Sequence, residues 1–163
     1  MTIAAGQAVP EVVLKHMTPD GIKDISTADL LTGRKVILFG LPGAYTPVCS
    51  TSHLPGFIEQ AERLKAEGVD EIACVSVNDP FVMSAWGKEH GADGKVLMLC
   101  DPDAELTTAL GLDLDLSGIG LGTRSQRYSM VVESGVATSV NVEGSIFDHE
   151  ASSAKRLRET VNA

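Results

Sequence analysis

The sequence predicts an α/β fold in which a mixed central β-sheet is flanked by helices and extended by an N-terminal hairpin. Apolar runs typical of strands covered on both faces alternate with helical patterns over residues 35–110. Beyond residue 125, two strand patterns surround a tight turn and a helical pattern closes the chain. The order βαβ followed by ββα indicates a thioredoxin-like arrangement.

The first elements form the hairpin and the first central strand. Residues 11–16 and 21–25 predict two short strands, because the turn-forming sequence Thr-Pro-Asp-Gly at residues 18–21 separates them. Residues 35–41 are almost continuously apolar and predict a strand buried on both faces. The prolines and the glycine of residues 42–47 end that strand.

Further strand and helix units follow along the chain. Periodic apolar positions predict a helix that ends before Gly68, and residues 80–90 predict another. Residues 71–77 and 95–100 predict buried strands. A short helix is predicted at residues 101–110, because aspartates stand at its start and a glycine follows it.

The last third of the chain departs from this alternation. Residues 112–124 are rich in glycine and predict a long loop. Residues 126–132 and 136–142 predict an antiparallel hairpin about the turn at residues 133–135. Residues 150–161 predict the closing helix.

Length and composition limit the kind of protein. The chain has 163 residues, which fits one compact domain, and we predict a single thioredoxin-like domain over residues 1–163. A net charge of -9 and a pI near 4.8 argue against nucleic acid or an anionic membrane as partner. The first residues lack a basic segment followed by an apolar run, so a cytoplasmic location is predicted.

The cysteine pattern excludes several kinds of site. Cysteines stand at positions 49, 74 and 100, an odd number with no C-x-x-C pair. This pattern predicts neither a disulfide framework nor a zinc site, and it disfavours a thioredoxin-like disulfide exchanger. No metal and no organic cofactor is expected.

Cys49 stands where α/β sheets place their ligand sites, between a buried strand and the next helix. If Thr46 is the N-cap, Pro47 takes the first helical position and Cys49 the third. Unpaired N–H groups and the helix dipole there favour a thiolate over a thiol. A lone cysteine at a helix start is more often a small core residue. The spacing P-x-x-x-T-x-x-C that ends at Cys49 favours the nucleophile.

Three strings of the sequence resemble the peroxiredoxins, specifically the type II or peroxiredoxin-5-like group: PGAYTPVCSTSHLPGF, VSVNDPFVMSAW and GLGTRSQRYSMVV. The resemblance runs from about Val9 to the end of the chain. It implies a thiol-dependent peroxidase that reduces hydrogen peroxide and alkyl hydroperoxides through a cysteine sulfenic acid. Glutathione with glutaredoxin, or thioredoxin, is the implied reductant.

The resemblance also implies a role for each residue of the site. Cys49 would be the peroxidatic cysteine, Thr46 would bind the peroxide oxygens, and Pro42 would shield the thiolate from water. Arg127 would stabilise the thiolate and polarise the O–O bond, whereas without the resemblance it is better interpreted as a solvated charge. The backbone N–H groups of Val48 and Cys49 would share in binding the substrate, since fixed donors at the leaving oxygen lower the barrier.

The oxidised cysteine must next meet a second thiol. Animal relatives carry a resolving cysteine before the last helix, but residues 144–153 contain none. Cys74 matches a second cysteine of plant-like members and is the candidate resolving cysteine, with an inert core position as the equal alternative. Pro55 weakens the turn that holds Cys49, so we expect an external thiol to do most of the resolving. Cys100 is predicted to fill the core.

Two other functions remain open at this point. His53 stands four residues after Cys49, which raises a cysteine hydrolase with a Cys–His ion pair. The sequence shows no residue that would orient that histidine, which disfavours the hydrolase hypothesis. A peroxide sensor, or a redox-signalling or chaperone protein on the same fold, is the second alternative.

The expected partners are peroxides, a thiol reductant and a second copy of the chain. Type II relatives commonly form dimers through the end that holds the active-site loop. We therefore predict a homodimer that uses Tyr45, Pro47, Phe81 and the 115–124 loop.

Overall fold

The computed structural model describes residues 1–161. Its strands are β1 (Val13–Thr18), β2 (Gly21–Ser26), β3 (Lys35–Gly40), β4 (Glu71–Ser76), β5 (Leu97–Cys100), β6 (Asp113–Asp115), β7 (Thr123–Ser125), β8 (Tyr128–Glu133) and β9 (Val136–Val142). Its α-helices are α1 (Thr27–Leu31), α2 (Leu54–Ala66), α3 (Pro80–His90), α4 (Glu105–Ala109) and α5 (Ala154–Val161). Within that range no helix has the length and apolar character that a membrane span requires.

Seven strands form one mixed sheet in the order β2-β1-β5-β4-β3-β8-β9. The three central strands β3, β4 and β5 run parallel, whereas β8 is antiparallel to β3 and β9 to β8. The β1–β2 hairpin extends the other edge, where β1 pairs antiparallel with β5. The predicted α/β class, the thioredoxin-like order and the N-terminal hairpin are therefore confirmed.

The core lies on both faces of the sheet, as the continuous apolar runs predict. On one face, Phe39 of β3 and Cys74 of β4 pack with side chains of α2, α3 and α5, among them Trp86. On the other face, Leu38 and neighbouring strand residues pack against α1 and α4. Alternate residues of β3 thus point into separate apolar layers.

The predicted long loop at residues 112–124 is wrong in part. The chain there forms a two-stranded antiparallel ribbon, β6 and β7, with one 3₁₀ turn between them. Gly120 and Gly122 take positive φ angles of 83° and 67°, and the N–H of Leu116 donates to the Gly122 carbonyl at 2.7 Å. Glycine adopts such angles without strain, so these residues close a tight reversal instead of leaving an open loop.

The closing helix is shorter than predicted, since α5 begins at Ala154 and not at residue 150. The buried carboxylate of Glu143 accepts hydrogen bonds from the N–H groups of Glu150 (3.0 Å) and Ser152 (2.9 Å). These bonds hold residues 150–153 in turns in place of a first helical turn. The segment 144–153 is thereby tied to the residue that follows β9.

Gly40 at the end of β3 sets the position of β8. It pairs with Tyr128, whose ring lies so close that a Cβ on Gly40 would be 2.2 Å from it. A larger residue at position 40 would therefore push β8 away. This contact matters for the site because Arg127 directly precedes Tyr128.

Candidate active site

Cys49 lies just beyond the carboxyl end of β3, in the first turn of a helical segment that begins at Pro47. The carbonyl of Thr46 accepts the N–H of Ser50 at 3.0 Å, so Thr46 holds the predicted N-cap position. Its hydroxyl, however, donates to the Gly43 carbonyl at 2.7 Å. The N–H groups of Val48 and Cys49 precede the first helical bond and belong to the orphan donors of a helix start.

The helix is widened where Cys49 sits. Cys49–His53 form a π-helical turn, and the N–H of Leu54 donates to the Cys49 carbonyl five residues back. Pro55 follows at the start of α2 and has no N–H to continue the normal ladder. The predicted weakening of this turn by Pro55 thus takes the form of a π turn, a feature frequent at functional sites.

Arg127, the residue just before β8, reaches Cys49 from 78 positions later in the chain. Its side chain is buried, with 2% exposed, and its Nη2 donates to the Cys49 sulfur at 3.1 Å. The same nitrogen donates to the Ile146 carbonyl at 3.0 Å, and Nη1 lies 3.1 Å from Nδ1 of His53. The solvated strand-end charge considered above is therefore excluded.

The surroundings of Arg127 favour a negative charge on the sulfur. Over residues 1–161, no carboxylate lies within ion-pair distance of the guanidinium, whose other partners are a neutral carbonyl and an imidazole. A buried charge without a counter-charge costs several kcal/mol. A negative charge on the nearby sulfur would supply that counter-charge, and a nearby arginine is one of the features that make cysteines reactive.

His53 does not form the pair with Cys49 that a cysteine hydrolase needs. Its Nδ1 faces Arg127 and its Nε2 faces the Ser152 carbonyl at 3.2 Å, so both ring nitrogens are engaged. Burial, and then the charge of Arg127, hold the pKa of His53 well below its usual range. The ring is thus a neutral neighbour of the arginine.

A pocket of about 90 Å³ opens beside these groups. Thr46, Val48 and Arg127 line it together with apolar side chains such as Leu121 and Phe147. Pro42 also lines the pocket and is itself buried. Its carbonyl accepts a hydrogen bond from Arg124 at 3.3 Å. Since a water molecule occupies about 30 Å³ in the liquid, the pocket suits a ligand of a few heavy atoms.

The other two cysteines lie away from this pocket. Cys74 is buried in the middle of β4, and burial raises the pKa of its thiol well above the usual value. Cys100 is buried at the end of β5, where burial raises its pKa to about 12. Both thiols are therefore neutral at physiological pH, and all three cysteines are free.

Comparison with known proteins decides the family. A model of the family Redoxin matches residues 4–157. Peroxiredoxin-2B of Arabidopsis thaliana is 49% identical, over 86% of this chain and 88% of that protein. The chain is a type II peroxiredoxin. The crystal structure of reduced Prx3 from Vibrio vulnificus in complex with H2O2 is 48% identical, with a TM-score of 0.93 over 98% of this chain and 99% of that one.

One relative also corrects the predicted location. Peroxiredoxin-2E-2 of rice (Oryza sativa subsp. japonica), a chloroplastic protein by name, is 52% identical over 87% of this chain. The chain spans 65% of the length of that protein. The prediction of a cytoplasmic peroxiredoxin is therefore wrong, because the lack of a targeting pattern in the first residues does not determine the location.

The structure brings together the predicted site residues Cys49, Thr46, Pro42, Val48 and Arg127. Cys74 does not line the pocket, although it belongs to the same apolar cluster as Cys49. Sequence reasoning did not find the part that the 144–153 segment plays in this peroxiredoxin. Its Ile146 carbonyl lies against Arg127, 19 positions away in the chain, and its Ser152 carbonyl lies against His53, 99 positions away. In the sequence, the one feature that pointed toward these contacts was His53, which stands four residues after Cys49 and so on the same helical face.

Proposed function

We propose that this peroxiredoxin reduces hydrogen peroxide and small alkyl hydroperoxides at Cys49. The observation that carries the proposal is the 3.1 Å hydrogen bond from the buried Arg127 guanidinium to the Cys49 sulfur. A thiolate is the reactive form of cysteine, and the arginine stabilises it. The adjoining pocket, whose lining is largely apolar but includes Thr46 and Arg127, has room for a small molecule.

The chemical step is a displacement on oxygen. The Cys49 thiolate attacks one peroxide oxygen, the O–O bond breaks, and an alkoxide or hydroxide leaves with the bonding pair and takes a proton from solvent. Nη1 of Arg127 keeps one hydrogen that its contact with His53 does not use, and this hydrogen, with the N–H groups of Val48 and Cys49, would donate to the oxygens as charge develops. The Thr46 hydroxyl already donates to Gly43, so its oxygen accepts the peroxide O–H.

The product is Cys49 sulfenic acid, and an external thiol resolves it. Attack by glutathione forms a mixed disulfide and water, and a second thiol or glutaredoxin restores the thiol. Cys74 is a poor nucleophile for this step because its thiol is buried and its pKa is raised. The reductant enters when the π turn ahead of Pro55 opens.

We predict that Cys74→Ser keeps most of the peroxide turnover supported by glutathione and glutaredoxin. A coupled assay that follows glutathione oxidation measures the rate, with Cys100→Ser as the matched variant in a second buried strand. Cys74→Ala serves if the buried hydroxyl destabilises the fold. Loss of most of the activity in both Cys74 variants, with Cys100→Ser active, would assign the resolving role to Cys74.

Turnover distinguishes the peroxidase from a peroxide sensor. Trp86, the one tryptophan of the chain, donates from Nε1 to the Ser50 hydroxyl at 3.0 Å, beside Cys49. Its fluorescence should therefore report oxidation of Cys49 in a stopped-flow experiment. With excess reductant, a peroxidase consumes many equivalents of peroxide, whereas a sensor stops after one.

A homodimer is part of the proposal. Tyr45, Phe81 and Ile119 are large apolar side chains with 52%, 69% and 64% of their surface exposed. Tyr45 lies in the active-site loop and Ile119 in the 115–124 segment. A second copy of the chain that packed on this end of the molecule would cover these side chains, and exposed apolar side chains that form one patch are typical of protein interfaces.

We predict that Phe81→Asp raises the dissociation constant of the dimer by about 30-fold, because a charge replaces an aromatic side chain that the proposed dimer would bury. Sedimentation equilibrium measures the dissociation constant. Val13→Asp, which changes an exposed apolar residue of the hairpin, should leave it unchanged. A wild-type protein that is monomeric at tens of micromolar would contradict the dimer.

A further inference from the structure

His53 is a fully buried polar residue of the site to which the proposed chemistry gives no part. Its ring packs beside Phe39 and Phe57, with centroid distances of 5.0 and 5.6 Å. The ring of His149 lies at a steep angle to it, with a centroid distance of 5.1 Å. A polar ring in such apolar surroundings must have its hydrogen bonds satisfied.

The partners of the ring fix its protonation. The guanidinium of Arg127 can only donate, so Nδ1 of His53 is the acceptor in their 3.1 Å contact. The Ser152 carbonyl can only accept, so Nε2 carries the proton in the 3.2 Å contact. His53 is therefore the neutral tautomer with hydrogen on Nε2, in agreement with the lowering of its pKa by burial.

We propose that His53 is a positioning residue for Arg127, whose guanidinium its neutral ring holds against the Cys49 sulfur and links to the 144–153 segment. The inference rests on the proposed function, in which Arg127 stabilises the thiolate. It adds a residue that acts through the arginine and does not touch the peroxide.

The 144–153 segment is held by hydrogen bonds and can support Arg127 and His53. Its Ile146 carbonyl accepts hydrogen bonds from Nη2 of Arg127 at 3.0 Å and from Nε at 3.3 Å. The segment lies on His53 through the Ser152 carbonyl, and the buried Glu143 carboxylate accepts the Ser152 N–H at 2.9 Å. A continuous set of hydrogen bonds thus runs from Glu143 to Cys49.

The charged and titratable groups that face His53 are Arg127, just before β8, and His149 from the segment, with Glu143 behind the segment. An imidazolium would place a second positive charge against Arg127 and leave the guanidinium without its acceptor. The arrangement therefore requires the neutral ring to keep Arg127 in place.

The test compares His53→Phe with His53→Asn. Phenylalanine keeps a ring between Phe39 and Phe57 but removes both hydrogen bonds, whereas asparagine can offer an oxygen near the position of Nδ1. Two quantities are measured: the pH at which Cys49 alkylation reaches half its maximal rate, and kcat/KM for hydrogen peroxide. Cooperative thermal unfolding establishes that each variant is folded.

For His53→Phe we expect the half-maximal pH to rise by about one unit and kcat/KM to fall on the order of 10- to 100-fold. His53→Asn should recover most of both losses. His16→Phe on β1, remote from the pocket, should change neither quantity. A purely structural histidine would lower the unfolding temperature without moving the half-maximal pH.

A folded His53→Phe variant with both quantities within experimental error of wild type would overturn the inference. His53→Gln gives a second measurement if the phenylalanine variant does not fold, because its longer chain moves the acceptor away from the position of Nδ1. The same upward shift is expected, and its absence would equally overturn the inference. If wild-type Cys49 itself reacts like an ordinary thiol, the proposed function fails instead.

Discussion

Replacement of Cys49 by serine is expected to lower peroxide reduction by at least about 10³-fold, to the background of the assay. Serine preserves the size of the side chain but is not ionised at neutral pH, so no anion remains to attack the O–O bond. Arg127 then faces a hydroxyl where it had faced the sulfur. The loss should appear equally with hydrogen peroxide and with an alkyl hydroperoxide.

Two readouts check this prediction. Turnover is measured with excess glutathione and glutaredoxin, and the peroxide-dependent change in Trp86 fluorescence is measured without reductant. Both should be absent in Cys49→Ser and present in Cys100→Ser, which changes another buried cysteine. Residual turnover above a few per cent of wild type would show that a different residue reacts with peroxide.

Replacement of Arg127 by glutamine should slow the oxidation of Cys49 by about 10²- to 10³-fold, the usual cost of a lost donor at a developing oxyanion. Glutamine retains a hydrogen-bond donor but not the charge that stabilises the thiolate. Arg127→Lys should be intermediate, because one ammonium cannot contact Cys49, Ile146 and His53 together as the guanidinium does.

Stopped-flow fluorescence of Trp86 against peroxide concentration gives the second-order rate constant for each variant. Circular dichroism is the control for folding, because removal of Arg127 leaves the Ile146 carbonyl without its donor and costs about 1–3 kcal/mol of stability. Arg124→Gln is the matched variant. Arg124 contacts the Pro42 carbonyl and not Cys49, so it should slow oxidation much less. A rate for Arg127→Gln within about threefold of wild type would contradict the role of Arg127.

Much of the fold could be predicted because its signals are local. The apolar run of β3, the helix of residues 80–90 and the hairpin of β8 and β9 follow from patterns within a few residues. The ribbon at β6 and β7 could not be predicted, since strands of three residues carry almost no periodicity. The late start of α5 depends on Glu143, whose bonds to residues 150 and 152 have no local signature.

The candidate site likewise combines a part with local sequence signals and a part without them. The position of Cys49 at a helix start follows from Thr46 and Pro47, which are adjacent in sequence. The contact with Arg127 spans 78 positions, and the sequence suggested it only through the resemblance to a family. The link from His53 to Ser152 spans 99 positions and depends on where the 144–153 segment lies, which no local pattern encodes.

The proposed peroxidase chemistry requires Cys49 to be ionised at neutral pH beside a buried arginine. The most direct measurement is the rate of alkylation by iodoacetamide from pH 5 to 9, in a Cys74→Ser, Cys100→Ser background where Cys49 is the remaining thiol. We predict a rate that is already maximal near pH 7 and changes little above it. A rate that rises about tenfold per unit up to pH 8, as for an ordinary thiol of pKa about 8.5, would contradict the account.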